Sequence, residues 1–319
     1  MLLATIATLI GLILLVYSAD FFIEGASSIA TKFGMSKFLI GMIIIGIGTS
    51  TPEIVVSVFS ALEGASGLAL GNAYGSNIVN ILLVLGATAL ISPLLIQKSL
   101  VRTDFLILLG VTGLAIFQLL DKEVSRLDGI ILCVLLAAFI IAQIYLAKKN
   151  PATNDENGED IKELPMAKSV AFLIGGLVVL VASSRLVVWG AVEIAKAMGM
   201  SELIIGLTVV AVGTSLPELV SSIIAAKKGE DDMAVGNVIG SNIFNTLAVV
   251  GIAGIIAPMS VPTEVINRDM WVMAGVTVAL FILCLIALRG NGRISRAMGG
   301  LLVAGFVAYT IVLAMSVMS

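Results

Sequence analysis

The sequence contains no histidine among its 319 residues, and only 12% of its residues are charged. Without histidine, the chain lacks a common zinc ligand and the usual general base of enzymes. Its two cysteines, Cys133 and Cys284, each stand alone in an apolar run, which predicts packing residues rather than a disulfide or a metal pair. The net charge of −3 gives no basis for nucleic-acid binding. These absences argue against a zinc enzyme and against a nucleic-acid partner.

Long apolar segments dominate what is present. Hydrophobic residues make up 59% of the chain and the mean hydropathy is +1.13, which is more apolar surface than a soluble domain can bury. We predict an all-α polytopic membrane protein whose first helix is a retained span rather than a signal peptide. Ten segments reach the ~20 residues that a membrane-spanning helix needs, near 2–30, 38–62, 68–92, 104–120, 127–147, 168–197, 203–227, 232–257, 268–288 and 297–317.

One motif occurs twice, 165 residues apart and without a gap. Gly48 to Glu53 reads GTSTPE, and Gly213 to Glu218 reads GTSLPE. A second element, GNxxGSNxxN, ends at Asn80 in the first copy and at Asn245 in the second. From position 48 to position 80, 17 of 33 residues are identical to their counterparts. The repeated residues are polar or helix-breaking and lie in otherwise apolar segments, which indicates a function.

The distribution of basic residues predicts the orientation of the chain. With the N-terminus outside, 13 basic residues fall in inner loops and 4 in outer loops, and Arg185 lies inside a span. We therefore expect both termini outside and a cytoplasmic linker at 148–166. Five spans separate the motif copies, so the second copy is inverted in the membrane. The sequence predicts two inverted-topology repeats, 1–147 and 167–319, carrying motif regions 38–92 and 203–257, which is typical of transporters.

The GTSxPE element predicts a broken helix that exposes oxygen atoms. Pro52 has no amide hydrogen and clashes with the carbonyl of Gly48, so the second span should break or kink there. Thr49, Glu53 and Ser57 follow at intervals of four and share one helix face. Free backbone carbonyls at membrane depth need a protein, water or metal partner. The seventh span repeats the pattern with Gly213, Thr214, Pro217, Glu218 and Ser222.

The GNxxGSNxxN element supplies a second polar face. Asn72, Ser76 and Asn80 are spaced by four in the third span, and Asn237, Ser241 and Asn245 repeat this spacing in the eighth span. Four helices can therefore present carboxylate, hydroxyl, amide and carbonyl oxygens to one cavity. Hard oxygen ligands suit sodium, calcium or magnesium, and larger cages of 6–8 oxygens suit calcium.

Most of these residues also have ordinary structural explanations. Glycine, serine and asparagine in membrane helices commonly serve packing or interhelical hydrogen bonding. The two glutamates differ, because a carboxylate at the bilayer centre costs a few kcal/mol. We interpret Asp20 and Glu24 as solvated at the membrane interface. Asp104, Asp128 and Asp269 are interpreted as helix caps or interface residues.

The doubled GTSxPE and GNxxGSNxxN elements resemble the α-repeats of the cation/calcium exchanger superfamily, and more narrowly its prokaryotic sodium/calcium antiporter branch. The resemblance covers nearly the whole chain and implies that helices 1 and 6 slide as a gating pair. It implies a calcium site of Glu53 and Glu218 with the carbonyls of Thr49 and Thr214. The sodium ligands that it implies are Ser50, Ser215, Ser76, Ser241, Asn80, Asn245 and the carbonyls of Gly46 and Ala211.

One position departs from part of the family, because some members carry aspartate where this chain has Asn245. The expected site then holds two carboxylates, which neutralise one calcium ion or two sodium ions. The resemblance implies an antiporter that exchanges sodium for calcium by alternating access, with calcium efflux driven by inward sodium. Its expected location is a multi-pass plasma membrane, the inner membrane of a bacterium.

Alternatives stay open at this point. Potassium dependence or proton coupling would use the same fold, and a cation channel could use the same oxygens. An intramembrane hydrolase has little support, since the chain has no HExxH helix and no GxSxG elbow. We expect no enzyme activity, no cofactor and no obligatory protein partner; the expected partners are calcium ions, sodium ions and the lipid bilayer.

Overall fold

The computed structural model describes residues 1–149, 164–199 and 211–318. Within these ranges, eight helices are long and apolar enough to cross a bilayer, and the number is nine when one bent helix pair is counted as a single span. The predicted seventh span begins in the gap at 200–210, and most of the predicted linker 148–166 falls in the gap at 150–163, so those parts lie outside the described residues. The chain is an integral, multi-pass membrane protein.

The helices and strands follow one another in chain order. The helices are α1 (Leu2–Phe33), α2 (Lys37–Thr49), α3 (Thr51–Leu62), α4 (Ser66–Ile91), α5 (Lys98–Leu119), α6 (Arg126–Lys149), α7 (Met166–Ala197), α8 (Ala211–Thr214), α9 (Leu216–Lys227), α10 (Asp231–Ile256), α11 (Val265–Arg289) and α12 (Arg296–Met318). The strands are β1 (Leu94–Leu95), β2 (Glu123–Val124), β3 (Met259–Ser260) and β4 (Arg293–Ile294).

The second span is broken at Ser50, as the proline predicts. Helices α2 and α3 meet there at an angle of 41°, and Pro52 occupies the first turn of α3, where its missing amide hydrogen costs nothing. Ser215 separates α8 from α9 with nearly the same backbone angles, φ −90° and ψ 9° against −81° and 2° at Ser50. Both breaks bring a glutamate into the first turn of the following helix.

Helices α4 and α10 are the most buried of the membrane-spanning helices described: 72% and 83% of an apolar 18-residue stretch of each is buried. Each contains one wide π-helical segment, at Asn80–Leu85 and Asn245–Val250, which begins on the last asparagine of the repeated motif. Such segments are rare and occur frequently at functional sites. The wide turn changes the direction of the side chains that follow it, so the regular four-residue spacing predicted from the sequence ends at these asparagines.

Small residues allow the two halves to pack closely. A β-carbon at Gly240 in α10 would collide with the carbonyl oxygen of Met42 in α2, so these helices meet backbone to backbone. The two longest helices, α1 and α7, pack along each other; a β-carbon at Gly176 would lie 2.7 Å from the amide nitrogen of Phe22.

Two short strand pairs also join the halves. Strand β1, which follows α4, pairs antiparallel with β4, which precedes α12. Strand β2, between α5 and α6, pairs antiparallel with β3, which follows α10. Each pairing holds together two loops that are distant in the sequence.

Two of the residues predicted as caps or interface residues lie near the starts of α5 and α11, as expected, but their side chains are buried. Asp104 and Asp269 are each only 8% exposed and take part in contacts between helices. Gln143 of α6 donates to Asp104 at 3.0 Å, and Tyr309 of α12 donates to Asp269 at 3.1 Å. The positions near helix ends suggested contact with water, but the Gln143 amide at Asp104, and the Tyr309 hydroxyl together with the Arg268 guanidinium at Asp269, allow the carboxyl groups to be buried.

The capping prediction holds for Asp128, near the start of α6. Its carboxylate accepts from the amide of Ser125 at 2.9 Å, while its own amide donates to the Ser125 hydroxyl at 3.2 Å. This reciprocal pair is a capping box.

Candidate ion-binding site

Glu53 and Glu218 lie at equivalent helix breaks in the two halves, and neither side chain is exposed. Each is in the first turn of its helix, where the unpaired amides and the helix dipole favour negative charge. Ser50 lies three residues before Glu53 and donates to Glu218, so the two carboxylates are in one region of the interior, where their negative charges repel each other. Among the described residues no basic side chain forms an ion pair with either of them. A cation between them would relieve this repulsion.

Residues at the helix break of the first half contact Glu218 and Asn237 of the second half. The hydroxyl of Ser50 donates to Oε1 of Glu218 at 3.4 Å. The hydroxyl of Thr49 donates to the carbonyl of Ile45 at 3.0 Å and is 3.3 Å from Oδ1 of Asn237 in α10. Residues from α2, α9 and α10 therefore meet at one place, which requires the two repeats to fold against each other.

Two asparagines hold the glutamate-bearing helices in the same way. The side-chain amide of Asn72 donates to the backbone carbonyl of Glu53 at 3.1 Å and to the hydroxyl of Ser57 at 2.9 Å. In the other half, Asn237 donates to the carbonyl of Glu218 at 3.3 Å and to the hydroxyl of Ser222 at 2.9 Å. We define these as the asparagine clamps. The sequence placed Asn72 and Asn237 on the polar stripe but did not identify this contact.

Several buried polar atoms at the site lack a hydrogen-bond partner within the described part of the chain. They are Oε1 and Oε2 of Glu53, Oε2 of Glu218, the hydroxyls of Ser215 and Ser241, and both side-chain amide atoms of Asn80 and Asn245. Buried polar atoms without partners are costly and therefore rare. Six of the twelve predicted site residues belong to this group, and their oxygens are hard donors suited to sodium or calcium.

The remaining predicted residues lie in the same helices. Ser76 of α4 is 4% exposed, and Thr49 and Ser50 are fully buried. Gly46 packs against α10, because a β-carbon there would lie 3.2 Å from the amide nitrogen of Ser241. Thr214 and Ala211 lie in α8, next to Gly213, whose carbonyl accepts from Ser184 of α7 at 2.9 Å.

Two further buried asparagines, Asn77 and Asn242, were not among the site residues predicted from the sequence. Asn77 donates to the hydroxyl of Thr246 at 3.0 Å and its Oδ1 has no partner among the described residues, while both amide atoms of Asn242 lack one there. Their occurrence in both copies of the GSN motif was the available signal.

The set of acidic groups is small. The described residues contain no cluster of three or more His, Cys, Asp or Glu side chains that could hold a metal ion. An ion at this site would therefore be bound by two carboxylates and by neutral hydroxyl, amide and carbonyl oxygens. Such a site compensates about two positive charges.

Comparisons with known proteins match both halves of the chain. The model of the sodium/calcium exchanger protein family matches residues 3–145 and 168–315. The chain is 44% identical over 313 residues to the putative antiporter CaxA of Alkalimonas amylolytica, covering 97% of this chain and 98% of that protein. It is 34% identical over 342 residues to the sodium/calcium exchanger MaX1 of Methanosarcina acetivorans, covering 96% and 97%.

A solved structure extends the similarity to three dimensions. The sodium-calcium exchanger NCX_Mj, soaked with Na⁺ and Sr²⁺, superimposes with a TM-score of 0.81 at 35% sequence identity, covering 98% of each chain. The family match covers most of the chain and the helices follow the same fold. The protein belongs to the sodium/calcium exchanger family of membrane antiporters.

Proposed function

We propose that the protein exchanges sodium ions for calcium ions by alternating access at the site between Glu53 and Glu218. One observation carries this proposal: the two halves each contribute one fully buried carboxylate with unpartnered oxygens and without a basic counter-ion in the described residues, and Ser50 beside the first break donates to the second glutamate. Calcium ions and sodium ions are the substrates. The carboxylates and the carbonyls of Thr49 and Thr214 would bind calcium.

The sodium ions would use overlapping ligands, which makes the two cargoes compete. We assign to sodium the hydroxyl and amide oxygens of Ser50, Ser215, Ser76, Ser241, Asn80 and Asn245, together with the carbonyls of Gly46 and Ala211. Ser50 already donates to Glu218, so filling a sodium position next to it would disturb the calcium position. Competition for shared ligands lets sodium expel bound calcium.

An ion-free site would resist reorientation. Two uncompensated carboxylates are costly to move through a medium of low dielectric constant, whereas one calcium ion or two sodium ions neutralise them. This charge penalty would suppress leak without exchange. Because a third sodium ion would remain uncompensated, we do not assign more than two sodium ions to the carboxylates themselves.

The strand pairings support ten spans in two inverted repeats, 1–147 and 167–319. Strands β1 and β4 lie on one membrane face, so an even number of crossings must separate them. Five described candidates lie between them, α5, α6, α7, α10 and α11, so the segment containing α8 and α9 would supply the sixth. Strands β2 and β3 give the same result, since α6, α7 and α10 make three crossings and a fourth is required.

The same topology supports an orientation. With ten crossings, both termini share a face, and the basic residues favour the opposite face as the cytoplasmic one. Residues 148–166 would then be a cytoplasmic linker, which agrees with its position between the two segments that the family model matches. In a bacterial inner membrane, inward sodium movement would drive calcium out of the cell.

Counter-ion flux in proteoliposomes tests the proposal directly. Purified protein is reconstituted, and uptake of labelled calcium is measured against outward gradients of sodium, potassium or protons. We expect saturable calcium uptake that requires the sodium gradient. Uptake driven only by potassium or protons would reassign the counter-ion within the same fold, and unitary currents without counterflow would indicate a cation channel instead.

A further inference from the structure

The two repeats carry a pair of complementary charges whose signs are exchanged. Asp20 in α1 and Lys228 after α9 correspond, at the offset of 165 residues, to Arg185 in α7 and Glu63 after α3. Two pairs of glycines support this alignment of the repeats. Gly25 aligns with Gly190 in the long helices, and the loops place Gly64 and Gly229 at the same left-handed backbone angle, φ 73° and 74°.

The first pair is formed. The ammonium group of Lys228 lies 2.8 Å from a carboxylate oxygen of Asp20 and donates to its backbone carbonyl at 3.1 Å. A second contact lies beside it, where Ser27 of α1 donates to Glu230 at 3.2 Å. Together they fasten α1 to the loop between α9 and α10, at one end of the molecule.

The second pair is not formed. Arg185 and Glu63 are both exposed, and neither side chain has a hydrogen-bond or ion-pair partner within residues 1–149, 164–199 and 211–318. An arginine inside an apolar, membrane-spanning helix is costly and usually has a functional partner. The inverted topology that we propose puts Glu63 at the opposite membrane face from Lys228. Because Asp20 and Lys228 are in contact at one face, the same inversion puts their equivalents, Arg185 and Glu63, near each other at the opposite face, although their side chains do not touch.

We propose that these four residues form two alternating latches for the long helices. In the present conformation the Asp20–Lys228 latch is closed and the Arg185–Glu63 latch is open. In the conformation in which the ion site opens to the opposite face of the membrane, α1 and α7 shift. The Asp20–Lys228 latch then opens and the Arg185–Glu63 latch closes. This inference rests on the proposed alternating access. In that mechanism each half adopts the conformation that the other half had before, so the closed latch and the open latch change places.

The exchanged signs follow from this role. Each long helix pairs with the loop after the broken helix of the other half, so the two charges of one latch must be opposite, but the two latches need not carry the same signs. Partly exposed ion pairs contribute little, so each latch shifts the balance between the two conformations by up to about fivefold. It biases the populations without binding the transported ions.

Disulfide cross-linking tests the second latch. Cys133 and Cys284 are first replaced by alanine, and the pair Arg185→Cys with Glu63→Cys is introduced. We expect little cross-linking without transported ions and several-fold more while opposing sodium and calcium gradients drive turnover. The cross-link should stop exchange, and a reductant should restore it.

Two control pairs define the comparison in the same cysteine-free background. Asp20→Cys with Lys228→Cys should cross-link readily before turnover begins. Asp20→Cys with Glu63→Cys joins positions at opposite membrane faces and should not cross-link in any condition.

The charges themselves are tested by exchange of the signs. Arg185→Glu should shift the ratio of the apparent calcium affinities measured from the two membrane faces by up to about fivefold. Adding Glu63→Arg should restore the ratio.

The possible failures are distinguishable. Absence of any ion exchange by the wild-type protein overturns the proposed function, and the latches with it. If the wild type exchanges ions but the 185–63 pair never cross-links during turnover, or Glu63→Arg gives no restoration, only the latches are wrong.

Discussion

Replacement of Asn237 by alanine should weaken ion binding through the position of Glu218 rather than through a lost ligand. The change removes the donations to the Glu218 carbonyl at 3.3 Å and to the Ser222 hydroxyl at 2.9 Å, and the acceptor that faces Thr49 at 3.3 Å. Leaving one buried carbonyl unpaired costs ~1–3 kcal/mol. If about 1.4 kcal/mol of this reaches the site, the apparent calcium affinity falls about tenfold.

A matched set of variants separates positioning from general destabilisation. Ser222→Ala removes the second partner of the same amide but leaves its donation to Glu218, so the affinity should change by less than about threefold. Asn72→Ala removes the equivalent clamp on Glu53 and should behave like Asn237→Ala. Calcium binding is measured on folded protein isolated by size exclusion, together with thermal stability. Unchanged affinity in Asn237→Ala, accompanied only by lower stability, would refute the positioning role.

Two further predictions concern packing and site charge. Gly176→Ala should destabilise the protein by ~1–3 kcal/mol, because its β-carbon would lie 2.7 Å from the amide nitrogen of Phe22 in α1. The neighbouring Gly175→Ala, whose β-carbon would have no atom within 4 Å, should be neutral or slightly stabilising. Thermal unfolding in detergent compares the two variants, and equal melting temperatures would contradict the close packing of α1 and α7. Asn245→Asp should add a third carboxylate to the site and change the calcium affinity or the charge moved per cycle; identical affinities and currents from the two forms on a solid-supported membrane would show that this position does not contact the ions.

Much of the fold follows from the sequence because its helix-breaking residues, its apolar segments and its repeated motif are clear local signals. Apolar segment length predicted the eight candidate spans and the bent pair that the described residues contain. Pro52 and Gly48 predicted a break, and the helices α2 and α3 meet there at 41°. The duplicated motif identified equivalent positions in the two halves without further information. These signals are local, so each can be read from a short stretch of residues.

The internal geometry of the site could not be predicted in the same way. No single residue dictates that the wide helical turn begins at Asn80 and Asn245, since it depends on packing around α4 and α10. The span count predicts that the second half is inverted, but it does not specify that Thr49 contacts Asn237. The buried positions of Asp104 and Asp269 likewise depend on donors from distant helices.

The central claim, that the two buried glutamates bind the transported ions, is tested most directly by removing one charge at a time. Glu53→Gln and Glu218→Gln keep the shape of the side chain, and the exposed Glu123→Gln is the control. Sodium-gradient-driven calcium uptake is measured in proteoliposomes containing equal amounts of folded protein. We expect uptake to be lost in both site variants and retained in the control, whereas undiminished uptake in either site variant would contradict the account.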